Sequence, residues 1–176
     1  SVFTFYNSVN LLLGILSGVG LATYTYFKRK FWSGPFYNAW IVGVLFLMAF
    51  LSGLDLSMIT ENNKLVYGLS AVFWGYANFV LVGYFKDVEA DRATGYNTFL
   101  VVFGRRLSSI ASNIFGVLTI LSVIFVFSYS NSFERLLEQS SIQIIILALG
   151  ILIMFLCQVL VHFIKQDDES SNAISL

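Results

Sequence analysis

Charge is what this chain has least of. Asp, Glu, Lys and Arg make up 11% of its 176 residues, less than half of the roughly one quarter usual in soluble domains. Hydrophobic residues make up 57%, and the mean hydropathy is +0.80, so the chain reads as lipid-facing and not as a soluble protein with a large core. The single cysteine, Cys157, lies inside an apolar run, which excludes a disulfide framework and a cysteine-rich metal site. The only histidine, His162, closes the last apolar run, where an interfacial or packing role outweighs catalysis. Ten Lys and Arg balance ten Asp and Glu, leaving no cationic excess for a nucleic-acid partner. A basic leader and a small-residue cleavage site are both missing, so no signal peptide is read. The chain starts at Ser1 directly in apolar sequence, and the expectation is a piece of a longer protein.

What the chain does have is long apolar runs. Five are near the 20 residues that span a hydrocarbon core as a helix: roughly 5–27, 36–58, 65–85, 107–129 and 142–164. Backbone groups in lipid must be satisfied within the segment, which favours helices. The expected fold class is therefore all-α, a polytopic transmembrane bundle forming one domain over 1–176. Alternation of five spans puts Lys28, Arg29, Lys30, Lys86, Arg92, Arg105, Arg106 and Lys165 on one side, and Lys64 and Arg135 on the other. Cytoplasmic loops carry the excess of Lys and Arg, so the first side is expected in the cytoplasm. A multi-pass protein of the cell membrane follows.

The remaining charge is concentrated at the end of the third run. In "GYFKDVEADRATGYNTFLVVFG", residues 83–104, Lys86, Asp87, Glu89, Asp91 and Arg92 fall within seven positions. Asp87 and Asp91 are four apart, so continuation of the helix through them stacks both carboxylates on one face, with Tyr84 near that stripe and Glu89 off it. Paired carboxylates with no histidine nearby suit a hard cation, and Mg²⁺ is commonly held by one or two carboxylates plus substrate phosphates. Thr94 and Gly95 then break the helix. A solvated loop is the usual explanation for charge between membrane helices. Against it stand the position of the acids, immediately at the helix end, and the basic cluster "FKRK" expected on the same face.

The string resembles the second aspartate-rich motif of the UbiA family of intramembrane prenyltransferases. Asp87, Asp91, Arg92, Gly95, Thr98 and "VVFG" ending at Gly104 follow that pattern, and Tyr24 followed by Lys28 and Arg29 resembles a second family motif in the correct order. The resemblance implies nine helices around a cavity, of which about five are present here. It implies Mg²⁺ on Asp87 and Asp91, and a polyprenyl diphosphate gripped by that metal. Lys28, Arg29, Lys86 and Arg92 would contact the diphosphate, with Asp87, Asp91 and Lys28 catalytic. Tyr24, Asn78 and Tyr84 become candidates for the cavity wall. A prenyl group would pass to an aromatic or lipid-like acceptor. The family's first aspartate-rich motif is absent from residues 1–64, whose only acids are Asp55 and Glu61, so residues 1–176 alone are expected to turn over no substrate.

Other readings are weaker. A transporter or scaffold with ordinary cytoplasmic loops is the alternative from another class, and it would release no pyrophosphate. A CDP-alcohol phosphotransferase would need a DG-x-x-AR signature, which the chain lacks. Asn78 sits inside the third run on the face opposite Asp87, where an interhelical hydrogen bond is the simpler expectation.

Overall fold

The computed structural model describes residues 8–53, 63–128 and 141–163. They form α1 (Val9–Lys30), α2 (Gly34–Gly53), α3 (Asn63–Ala93), α4 (Phe99–Ser128) and α5 (Ser141–Phe163). The protein is all-α, as its sequence implies. The first four helices are long and apolar enough to cross a membrane, and α5 carries a further apolar stretch, Ala148–Val161. Asp55 and Glu61, the 129–140 connection and the tail from 164 lie outside the described residues.

The third helix continues past the end of its apolar run at 85 to Ala93, in keeping with the break expected at Thr94 and Gly95, whereas the fourth starts at Phe99 and not at 107. The charged segment 86–106 is therefore mostly helix. Hydropathy marks where lipid ends, whereas Lys86, Glu89, Ala90 and Arg92 are good helix formers and carry α3 beyond that point. Only 94–98 is non-helical between α3 and α4. The α4 backbone breaks its helical conformation once, at Gly104, with φ 73° and ψ 172°; this left-handed φ favours glycine. Likewise α1 includes Lys28, Arg29 and Lys30 in its last turn, where cations complement the helix dipole. Only Phe31–Ser33 separate it from α2, whose Pro35 sits in the first turn, where its missing N–H costs nothing.

Short connections make α1 to α4 antiparallel neighbours. The C-terminus of α1, the N-terminus of α2, the C-terminus of α3 and the N-terminus of α4 thus share one end of the bundle. The main core lies around α3, with Ala77, Leu81, Tyr84, Phe85 and Val88 packed on Ala39, Leu100 and Phe115. A smaller apolar cluster, Leu13, Met48 and Leu51, joins α1 to α2.

Polar groups inside the apolar frame are paired across helices. Ser112 of α4 donates to Asn78 Oδ1 of α3 at 2.6 Å, and its hydroxyl lies 3.1 Å from Gln158 Oε1 of α5. Gln158 Nε2 in turn donates to the Ser112 carbonyl at 3.4 Å. Further along the same helices Ser70 and Ser122 meet at 2.9 Å. Small hydroxyl residues of this kind let membrane helices approach and bond. Ser112→Ala should lower unfolding stability in detergent by about 1 kcal/mol, measured by thermal or SDS titration. An unchanged midpoint would mean that the cluster does not hold α5 to the bundle.

Candidate functional site

At the shared end, the two charged segments meet. Lys28 Nζ of α1 and Asp91 Oδ1 of α3 are 2.9 Å apart, with side chains only 16% and 5% exposed. Two aromatic rings flank the ammonium: its nitrogen is 5.1 Å from the Tyr84 ring centroid and 5.2 Å from that of Tyr96. Cation–π attraction of this kind strengthens where water is scarce. The Tyr84 hydroxyl lies 3.2 Å from that of Tyr24, which joins two of the tyrosines expected at the cavity wall.

Local sequence explains why the carboxylate is held there. Beyond Ala93, Gly95 takes a left-handed φ of 71°. The Tyr96 N–H then donates to the Asp91 carbonyl at 2.9 Å, and the Gly95 N–H to the Arg92 carbonyl at 3.2 Å. This pair of bonds is a Schellman cap, which needs its penultimate residue in the left-handed region. The cap turns the chain sharply and swings Tyr96 over Lys28. Asn97 then ties the turn to the end of α1: its N–H donates to the Arg29 carbonyl at 3.3 Å and its Nδ2 to the Lys30 carbonyl at 3.4 Å. Those acceptors are among the last carbonyls of α1, which lack partners inside the helix.

On the opposite flank, Tyr84 is packed against the start of α2. A Cβ added at Gly34 would strike the Tyr84 hydroxyl, so only glycine leaves the ring its place beside Lys28.

Asp87 is exposed one helical turn before buried Asp91, and both stand on one flank of α3. Glu89 is exposed off that stripe, and Lys86, Arg92 and Arg29 are exposed at the same end of the bundle. The structure thus brings Lys28, Asp91, Tyr24 and Tyr84 together, with Asp87 at the edge. It does not bring Asn78 there: that residue belongs to the Ser112–Gln158 cluster deeper in the bundle. Tyr96, Asn97 and Gly34 were not anticipated from sequence. Gly95 carries a local cap signal that predicts the turn, but the contacts of Tyr96 and Asn97 with α1 are tertiary and leave no local trace.

The model of the UbiA prenyltransferase family matches residues 1–175. The chain belongs to the UbiA prenyltransferase family. No curated protein and no solved structure gives a significant match. Family membership and the apolar helices make the chain an integral membrane protein.

Among the described residues no group of three or more His, Cys, Asp and Glu side chains gathers as a metal cage. The carboxylate pair nevertheless suits a hard cation. Asp91 Oδ2 is buried without a hydrogen-bond partner, an expensive state for a carboxylate oxygen unless something else binds it. The neighbouring turn holds another such atom, Thr98 Oγ1. Oxygen donors with spare capacity are what Mg²⁺ takes, completing its shell with water and phosphate.

The lysine's burial has a direct consequence. In the folded protein in membranes or detergent, Lys28 should resist acylation by an amine reagent, and Asp91→Asn should raise its modification rate several-fold. Glu89→Gln should leave the rate unchanged. Peptide mass spectrometry reads the difference, and equal rates in all three proteins would contradict the ion pair.

Proposed function

We propose that this UbiA-family protein transfers a prenyl group from a polyprenyl diphosphate to an aromatic or lipid-like acceptor with the help of Mg²⁺. The observation that carries the reading is the buried contact between Lys28 of one motif and Asp91 of the other. It joins a cation suited to a diphosphate with a carboxylate that has a free oxygen.

Asp87 and Asp91 would hold the metal, Asp91 through its unpartnered oxygen. Bound there, Mg²⁺ supplies positive charge that neutralises the diphosphate and favours its departure. Lys28, held between two rings, is placed to pass from Asp91 to the diphosphate when the carboxylate is otherwise engaged. Arg29, Lys86 and Arg92 stand at the same end of the bundle and add positive potential. The C1–O bond of the prenyl diphosphate breaks with both electrons going to the leaving oxygen. C1 then bonds to the nucleophilic carbon or oxygen of the acceptor, which gives up a proton. Preplaced cations stabilise the charge that develops on the leaving group. The apolar helices shield the allylic centre from water.

Turnover is followed as pyrophosphate released in membranes by the chain supplied with helices that bear the family's first aspartate-rich motif. Asp87→Asn and Asp91→Asn should each lower it by about 100-fold. Glu89→Gln should change it by less than about threefold, as exposed substitutions do. Equal damage from all three would remove the stripe from the mechanism, and undiminished turnover in the Asp variants would remove the metal-binding role.

The proposed orientation places the site end in the cytoplasm. Thr94 and Lys64 are exposed at opposite ends of α3 and its turn. In a Cys157→Ser background, Thr94→Cys should react with an impermeant thiol reagent only from the cytoplasmic side, and Lys64→Cys only from the other. Labelling of both from one side would contradict it.

A further inference from the structure

Below Asp87 the same flank of α3 changes from charged to apolar. Residues 76, 79, 83 and 87 recur at spacings of three and four and so share a face. Gly83 lies one turn below Asp87, and a Cβ built on it would meet no atom within 4 Å. One further turn down is Phe79, 69% exposed. Its ring is 5.5 Å from that of Tyr76, tilted by 42°. Glycine inside a helix costs about 1 kcal/mol relative to alanine, and no close neighbour among the described residues requires it at 83. What it creates is a notch. The notch is bounded above by the Asp87 carboxylate and below by two rings.

We propose that Gly83 and the Tyr76–Phe79 ring pair form the subsite for the first isoprene units of the prenyl diphosphate, a proposal that rests on the diphosphate reading above. The ligand's two ends match the two ends of the strip. Its anionic head requires the cations and metal-binding carboxylates around Lys28, Asp87 and Asp91. Its tail requires an uncharged surface running from that head into the membrane. Four residues of helix rise about 6 Å, a step comparable with one isoprene unit. A chain anchored at Asp87 would therefore cross the bare backbone at Gly83 with its first unit and meet Phe79 with its second. The notch admits the branched, flat first unit where any side chain would obstruct it, and the rings supply the apolar contact.

The test separates head from tail. Binding of three probes to the full chain is measured with Mg²⁺ present: inorganic pyrophosphate, dimethylallyl S-thiolodiphosphate and geranyl S-thiolodiphosphate. Gly83→Leu should weaken the geranyl probe by about tenfold, the loss of one to two buried CH₂ contacts. It should move pyrophosphate by less than about twofold, as exposed substitutions do. Phe79→Ala, at an exposed position, should spare the dimethylallyl probe and erase most of the affinity gained by the second isoprene unit. Unchanged geranyl binding in both variants would place the tail elsewhere and overturn the proposal. So would equal losses of pyrophosphate and geranyl probes in Gly83→Leu with Phe79→Ala unaffected, because that pattern assigns Gly83 to helix packing. Failure of the unaltered protein to bind pyrophosphate with Mg²⁺ would overturn the diphosphate reading itself.

Discussion

The ion pair between Lys28 and Asp91 is the contact on which the polar end of this protein depends. A carboxylate and an ammonium that are both largely buried each carry a desolvation cost of several kcal/mol. Their attraction offsets that cost only when geometry is good and neighbours contribute. Tyr84 and Tyr96 contribute through their ring faces. The pair also leaves Asp91 half satisfied, since Oδ2 has no hydrogen-bond partner. A site that is stable yet retains one unmet oxygen is suited to exchange one cation for another.

That contact requires three backbone devices from different parts of the chain. Gly95 caps α3 and turns it; Asn97 fastens the turn to the carbonyls that end α1; Gly34 leaves room for the Tyr84 hydroxyl. Each is inexpensive in sequence, and each sits outside the charged residues themselves. The apolar remainder sets the helix order that brings the ends of α1 and α3 side by side. Among its polar exceptions, Asn78, Ser112 and Gln158 are spent on each other, which keeps them apart from the charged end.

The fold was legible in the sequence because lipid leaves few options: long apolar runs must be helices, and their alternation decides which loops share a side. Helix ends were less legible. Apolarity reports the lipid boundary, so the charged last turn of α1 and the first turns of α4 were read as connections although they are helical. The pairing of Asp87 and Asp91 on one flank could be read from spacing alone. Their unequal environments could not, because Asp91 is paired with Lys28, 63 positions before it, whose ammonium lies by the ring of Tyr96, five positions after it in the chain. Asn97 and Gly34 were invisible for the same reason. Their roles exist only once the helices have docked.

The most direct test is a double-mutant cycle on unfolding stability, using Lys28→Met, Asp91→Asn and the combination. Removing one member of a buried pair strands the other and typically costs about 3–5 kcal/mol. Removing both should cost less than the two single losses together, leaving a coupling of more than about 1 kcal/mol. Strictly additive losses would show that Lys28 and Asp91 do not depend on each other, and that the two motifs are not joined as described.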